Sequence, residues 1–158
     1  MANEKYGKFG IASNQLEAAI GMFVGGRDRF SVITLAGAAD AIFMALVLKA
    51  GKVPFVDYAR KVQEVHSGVT PSRGKYATHI NNALSINALK HMDPEDDDFV
   101  ELDVEQCAIG AILKAVVNYK ELVGHEPDFI KAFLAWTWQN LDGRKIIENY
   151  ENRSAKLR

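Results

Sequence analysis

Cysteine is almost absent from this sequence: Cys107 is the single one. One thiol closes no disulfide within the chain and builds no cysteine-based zinc site. An excess of charge of one sign is missing too, since 19 basic side chains stand against 20 acidic ones, a formal net charge of -1. Non-specific nucleic-acid affinity comes largely from a basic excess, so the overall charge is not that of a dedicated nucleic-acid binder, and only a local basic patch stays open. No Pro/Gly/Ser-rich linker, repeat or low-complexity segment divides the 158 residues. One domain over 1–158 is therefore expected, with 1–12 as a lead-in and a charged tail over 144–158. The N-terminus has no apolar core of a signal peptide. The longest apolar stretch, Ile33 to Leu48, contains Thr34 and Asp40 and reads as too short to span a bilayer. A cytoplasmic protein without membrane contact is the expectation. Phosphate-cradling glycine loops, dinucleotide fingerprints, paired metalloprotease histidines and serine-hydrolase elbows are all lacking, which argues against the commonest enzyme classes.

What is present is apolar residues at helical spacing, and the fold class predicted is all-α, a bundle of five to six helices. Leu16, Ala19, Ile20 and Phe23 mark a first helix over about Ser13–Val24, with Asn14 and Glu17 as a variant capping box and Gly25-Gly26 as the stop. A second helix, about Phe30 to Ala50, is apolar nearly all round and belongs at the centre of a bundle. Its small stretch Ala36-Gly37-Ala38-Ala39 admits a close neighbour, which reads as tight packing within the chain ahead of a dimer seam. Pro54 opens a third helix that ends before Gly68, with Phe55, Tyr58, Ala59, Val62 and Val65 as its apolar stripe. A fourth helix is predicted over about Ser72–His91, placing Ile80, Ala83, Leu84, Asn87 and His91 on one face. The run Asp93-Pro94-Glu95-Asp96-Asp97-Asp98 opposes a helix C-terminal dipole and reads as a solvated loop. Alternation over Val100–Val104 permits a short extended piece. Asp103 with Gln106 caps a fifth helix, cored by Val104, Ala108, Ala111, Ile112, Ala115 and Tyr119 and ended by Gly124. A sixth starts near Asp128 and carries Phe129, Phe133, Trp136 and Leu141, and the tail from Arg144 forms a short last helix or frays.

Among the polar residues, Asn87 and His91 stand out, because i and i+4 on one helix lets their side chains meet. Histidine can serve as a general acid or base near neutral pH, and asparagine can orient it or hold a phosphate or ribose oxygen. The plainer reading is a polar pair that satisfies itself and fixes helix packing, and spacing alone favours it. His91 with Asp93 or Asp96 is a weak metal pair, outweighed by a hydrogen-bonded, partly buried histidine, so no metal or cofactor is assigned. His125, in a Gly-His-Glu-Pro turn, reads as solvent-facing, and His66 and His79 have no evident partner. Cys107 reads as a small buried hydrophobe, Trp136 as core and Trp138 as a surface anchor or partner contact.

The stretch Leu16 to Gly51, with its helix, its Gly25-Gly26-Arg27-Asp28 break and its long small-and-apolar helix, resembles the first half of HEPN domains. Asn87-Ala-Leu-Lys-His91 resembles the Arg-Asn-x-x-x-His motif of HEPN ribonucleases. Ser31 to Ala39 together with Lys90-His91 also resembles a group of small bacterial proteins of uncharacterised function. The resemblance implies an up-and-down HEPN-like bundle, a homodimer habit and, in active members, a histidine working on a 2′-hydroxyl beside an arginine that holds phosphate. That arginine falls at Ile86 here, Lys90 is a poorer, non-bidentate substitute, and Arg73 lies too far along the same helix unless a second subunit supplies it. Three expectations follow. The first is a non-catalytic interaction domain, a homodimer with a possible protein partner, in which Asn87 and His91 are buried together. The second is an RNA-binding or metal-independent RNA-cleaving protein with His91 in an open groove near a cation. The third is a metal- or small-molecule-binding bundle with His91, acids and aromatics around a cavity.

Overall fold

The computed structural model describes residues 2–141, and the tail predicted from Arg144 lies outside them. Six helices follow one another: α1 (Lys8–Val24), α2 (Arg29–Lys49), α3 (Phe55–Ser67), α4 (Arg73–Ala83), α5 (Val104–Val123) and α6 (Asp128–Asn140). The described residues contain no strand, and the chain is an all-α helical bundle.

α2 sits at the centre because it is apolar on every side, and α1 and α5 pack along it. Leu16, Phe23, Ile33, Phe43 and Ile112 are fully buried between these three helices. α6 closes over α1 by setting Phe133 and Trp136 edge-on against Phe23, with ring centroids 5.6 and 4.7 Å apart. By length and hydropathy α2 is long enough to cross a bilayer, which corrects the estimate from its shorter inner stretch. Val32, Ile33, Ala36, Phe43 and Val47 are instead buried in the bundle, an arrangement compatible with a soluble protein.

Local signals set most boundaries. Asp28 caps α2 by accepting the Ser31 N–H at 2.8 Å, and the hydrogen bond from the Ser31 hydroxyl, followed by this backbone one, holds its carboxyl below the usual range. Asp103 caps α5 by accepting the Gln106 N–H at 3.0 Å, and Gly124 ends it at φ 71°, as predicted. Gly68 ends α3 in the same left-handed way.

Three expectations are corrected. α1 begins at Lys8, so Asn14 and Glu17 lie inside it and Gly7 takes the N-cap without any side-chain hydrogen bond. Packing outweighs capping there: Ala12 is fully buried, and the Phe9 ring lies 5.8 Å from Phe43 and 5.6 Å from Tyr119. The segment Val100–Val104 forms no strand; Leu102 turns onto the core while Phe99 and Val100 face solvent. α4 stops at Ala83 rather than near His91. Ser85 turns into the left-handed region at φ 58°, and Leu84 and Ile86 dive to either side of it. Ile86, only 1% exposed, lies against Gly37, where an added Cβ would stand 2.7 Å from its Cγ2. Leu84 lies against Gly110, where an added Cβ would stand 2.5 Å from its Cδ2. The small stretch of α2 thus receives a side chain of its own chain. Burying these two residues outweighs continuing a helix whose interior buries nothing.

Candidate functional site

The break after α4 decides what becomes of Asn87 and His91. Beyond Ser85 the chain makes one further turn, in which the His91 N–H donates to the Asn87 carbonyl at 3.0 Å. Their side chains do not pair. The Asn87 amide donates to Asn82 Oδ1 at 2.8 Å, and His91 is exposed, its ring without a hydrogen bond among the described residues. The expectation of a buried, self-satisfied pair is therefore wrong, because it assumed an unbroken helix. Ile86, where the resemblance to HEPN ribonucleases would call for an arginine, is a core residue filling the space above Gly37.

His91 instead lies in the wall of a cleft of about 840 Å³ between the end of α4 and the acidic loop. Asn82 and Asn87 form one side, and Asp93, Asp96, Asp97 and Asp98 form the other. Met92, Phe99 and Val100 add apolar surface, with Phe99 86% exposed. The loop carries its own turns: Asp96 accepts the Asp93 N–H at 2.8 Å and Asp97 accepts the Phe99 N–H at 3.2 Å. It is solvent-exposed throughout, as predicted. Among the described residues neither lysine nor arginine lines the cleft, and Lys90 is exposed outside it. Among the described residues no three histidine, cysteine or acidic side chains are placed to hold a metal ion. Chemically the cleft offers a negative field, an unoriented imidazole and exposed apolar side chains. A general base needs a partner that fixes its ring, and a phosphoryl group needs a cation; neither is among the cleft's lining residues.

The other concentration of polar chemistry is internal. Asp40 of α2 and Lys114 of α5 form an ion pair whose side chains are 3% and 4% exposed. Asp40 also accepts from the Asn118 amide at 2.7 Å, and Asn118 accepts the Phe55 N–H at 2.8 Å. Lys114 donates onward to Asn81 Oδ1 at 2.9 Å. The chain of contacts thereby ties α2, α5, α3 and α4 together. Every charge has a partner of opposite sign and a further hydrogen bond, which a buried pair requires. It does not open on the cleft. Sequence reasoning noted Asp40 only as an interruption of an apolar run. The signal was stronger: a lone acid in a helix apolar all round, and Lys114 with Asn118 at i and i+4 among core positions, demand mutual partners.

The remaining candidates fall as read from spacing. Cys107 is buried, His125 is exposed, Trp136 is half-buried against the core, and Trp138 is 56% exposed. Compared with family models, with curated proteins and with solved structures, the chain has no match in any of the three.

Proposed function

We propose that this chain is a non-catalytic, cytoplasmic interaction domain whose cleft takes a cationic segment of a protein partner with apolar side chains. One observation carries the reading: four aspartates and the exposed Met92, Phe99 and Val100 line the same cleft, with no lysine or arginine among them. Opposite charge steers such a segment to the site, and the apolar side chains give it something to bury. The HEPN-like reading of the bundle is kept as part of the proposal, supported by the order of α1, the glycine break and the small-residue helix α2. The RNA reading through His91, Asn87 and Lys90 ranks below it, because the same four carboxylates repel phosphate and a buried isoleucine holds the arginine's place.

A second reading has its own support. The cleft volume lies within the range of about 300–1,000 Å³ typical of small-molecule sites, and the lining selects a cation such as a polyamine.

The test is fluorescence anisotropy with a labelled Lys/Leu-rich peptide, mixed-sequence single-stranded RNA and labelled spermine. Wild type is compared with His91→Ala and with the pair Glu95→Lys, Asp98→Lys. Salt-sensitive peptide binding that the doubly substituted protein loses is the expected result. RNA binding or cleavage lost in His91→Ala at unchanged Tm would sink the interaction reading. Spermine binding without peptide binding would select the second.

A further inference from the structure

The cleft is one of two exposed surfaces of opposite sign, and α3–α4 carries the other. Residues 52–83 hold five basic and two acidic side chains, whereas residues 93–105 hold eight acidic and no basic ones. Part of the basic set is used locally. Asp57 binds both Arg60, at 2.9 Å, and Arg73, at 2.6 Å, and Lys52 donates to the Glu121 carbonyl. Lys61 and Lys75 are exposed and pair with no acid among the described residues. The same hairpin leaves part of its apolar stripe in solvent: Tyr58 is 64% exposed and Val62 is exposed, as is Val69 just past the helix, while Phe55, Ala59 and Val65 are half-buried. Lys61 lies beside Tyr58 on the helix surface, three residues along. α3 is thus an amphipathic helix whose apolar face is only partly covered among the described residues, with the exposed Lys61 on the same helix and the exposed Lys75 on α4.

The acidic loop has the complementary make-up, with exposed Met92, Phe99 and Val100 edged by Glu95, Asp97 and Asp98. We propose that the stripe of α3, with Lys61 and Lys75, docks on the acidic loop of a second copy of this chain. The inference rests on the interaction reading of the cleft and names its occupant. Two-fold symmetry lets both contacts form at once, because each copy offers one hairpin and one loop. Each contact then sets cations against carboxylates and covers apolar side chains that a lone chain leaves wet.

The experiment is sedimentation velocity at about 1–100 µM protein in low and high salt, across which charge screening changes strongly. Wild type is compared with hairpin variant Lys61→Glu, Lys75→Glu, with loop variant Glu95→Lys, Asp98→Lys, and with their equimolar mixture. The four substituted residues are exposed, so circular dichroism and Tm are expected to stay at wild-type values. The expected result is a salt-sensitive dimer for wild type and a monomer for each variant alone, with association weakened at least about tenfold. In the mixture the altered hairpin of one chain meets the altered loop of the other, acid against lysine, while the unaltered hairpin meets the unaltered loop, and a one-to-one heterodimer is expected. A wild-type monomer over the whole range, an unaffected variant, or a mixture that stays monomeric would each overturn the proposal. A wild-type monomer that still binds the Lys/Leu-rich peptide through Glu95 and Asp98 would overturn the copy-to-copy contact alone and leave the cleft reading standing. Failure of both assays would remove both.

Discussion

Two parts of this bundle treat the apolar faces of their helices in opposite ways. α1, α2 and α5 bury their apolar faces in one another, with Phe23, Phe43 and Ile112 fully enclosed. α3 buries Val56 alone, and α4 buries no residue at all. The first region is held by dry packing. The second is fastened at points: the Asn118 and Asn81 hydrogen bonds to a buried ion pair, the plugs Leu84 and Ile86, and the Asp57 clamp to Arg60 and Arg73. A helix with a strong apolar stripe need not spend it on its own core. Where polar fasteners hold the backbone in place, the stripe stays available for another surface.

That contrast can be broken most sharply at the ion pair. Lys114→Met leaves Asp40 buried and uncompensated and is expected to cost about 3–5 kcal/mol in urea unfolding, while the double variant Asp40→Leu, Lys114→Met recovers most of it. A single variant of wild-type stability would show that the pair does not fasten the hairpin. Next in size is the plug: Ile86→Ala is expected to lose about 2–5 kcal/mol through lost burial and the cavity above Gly37. Smaller still is Gly37→Ala, expected to cost about 1–3 kcal/mol because the branched Ile86 has its Cγ2 in the way. Gly110→Ala meets only the far end of Leu84, and the gain in helix propensity of about 1 kcal/mol offsets much of the strain. Equal losses at the two glycines would show that the two plugs are equally rigid.

The smallest effect concerns pH. Hydrogen bonding to Arg73 in the first place, then to Arg60, holds the Asp57 carboxyl below its ordinary value. A depressed folded pKa stabilises the hairpin fully above the unfolded value of about 3.9 and loses that contribution as pH falls through the folded one. Hydrogen exchange below about pH 4 is therefore expected to accelerate in α3–α4 before α2 and α5, and Asp57→Asn is expected to erase the difference. Uniform acceleration over all helices would count against a separately fastened hairpin.

Much of this architecture is legible in the sequence, and the parts that are not share a cause. The all-round apolar α2, the Asp103–Gln106 cap and the glycine stops follow from local chemistry, and the structure has them where spacing puts them. The break at Ser85 does not follow, because Ser85 is a poor candidate for φ 58° on local grounds. What drives it is distant: two glycines, on α2 and α5, leave room for Leu84 and Ile86. A periodicity argument sees Leu84, Asn87 and His91 as one face and has no access to those glycines. The candidate site changed with it, from a helical Asn–His pair to an open acidic cleft. The acidic loop itself was readable, since its composition alone keeps it in solvent. The start of α1 at Lys8 falls within the stretch expected as a lead-in, where Phe9 is held by Phe43 and Tyr119 rather than by any capping residue.

The lone cysteine lies at that same break, its Sγ 3.8 Å from both the Ala83 carbonyl and the Ser85 hydroxyl. Being buried, it can react with a thiol reagent only when this junction loosens. The chain therefore carries an intrinsic chemical reporter at the joint between its two unlike regions. At reagent concentrations where modification outpaces reclosing, the rate at which a disulfide reagent modifies the wild-type protein gives the frequency of that loosening without a label or an engineered residue.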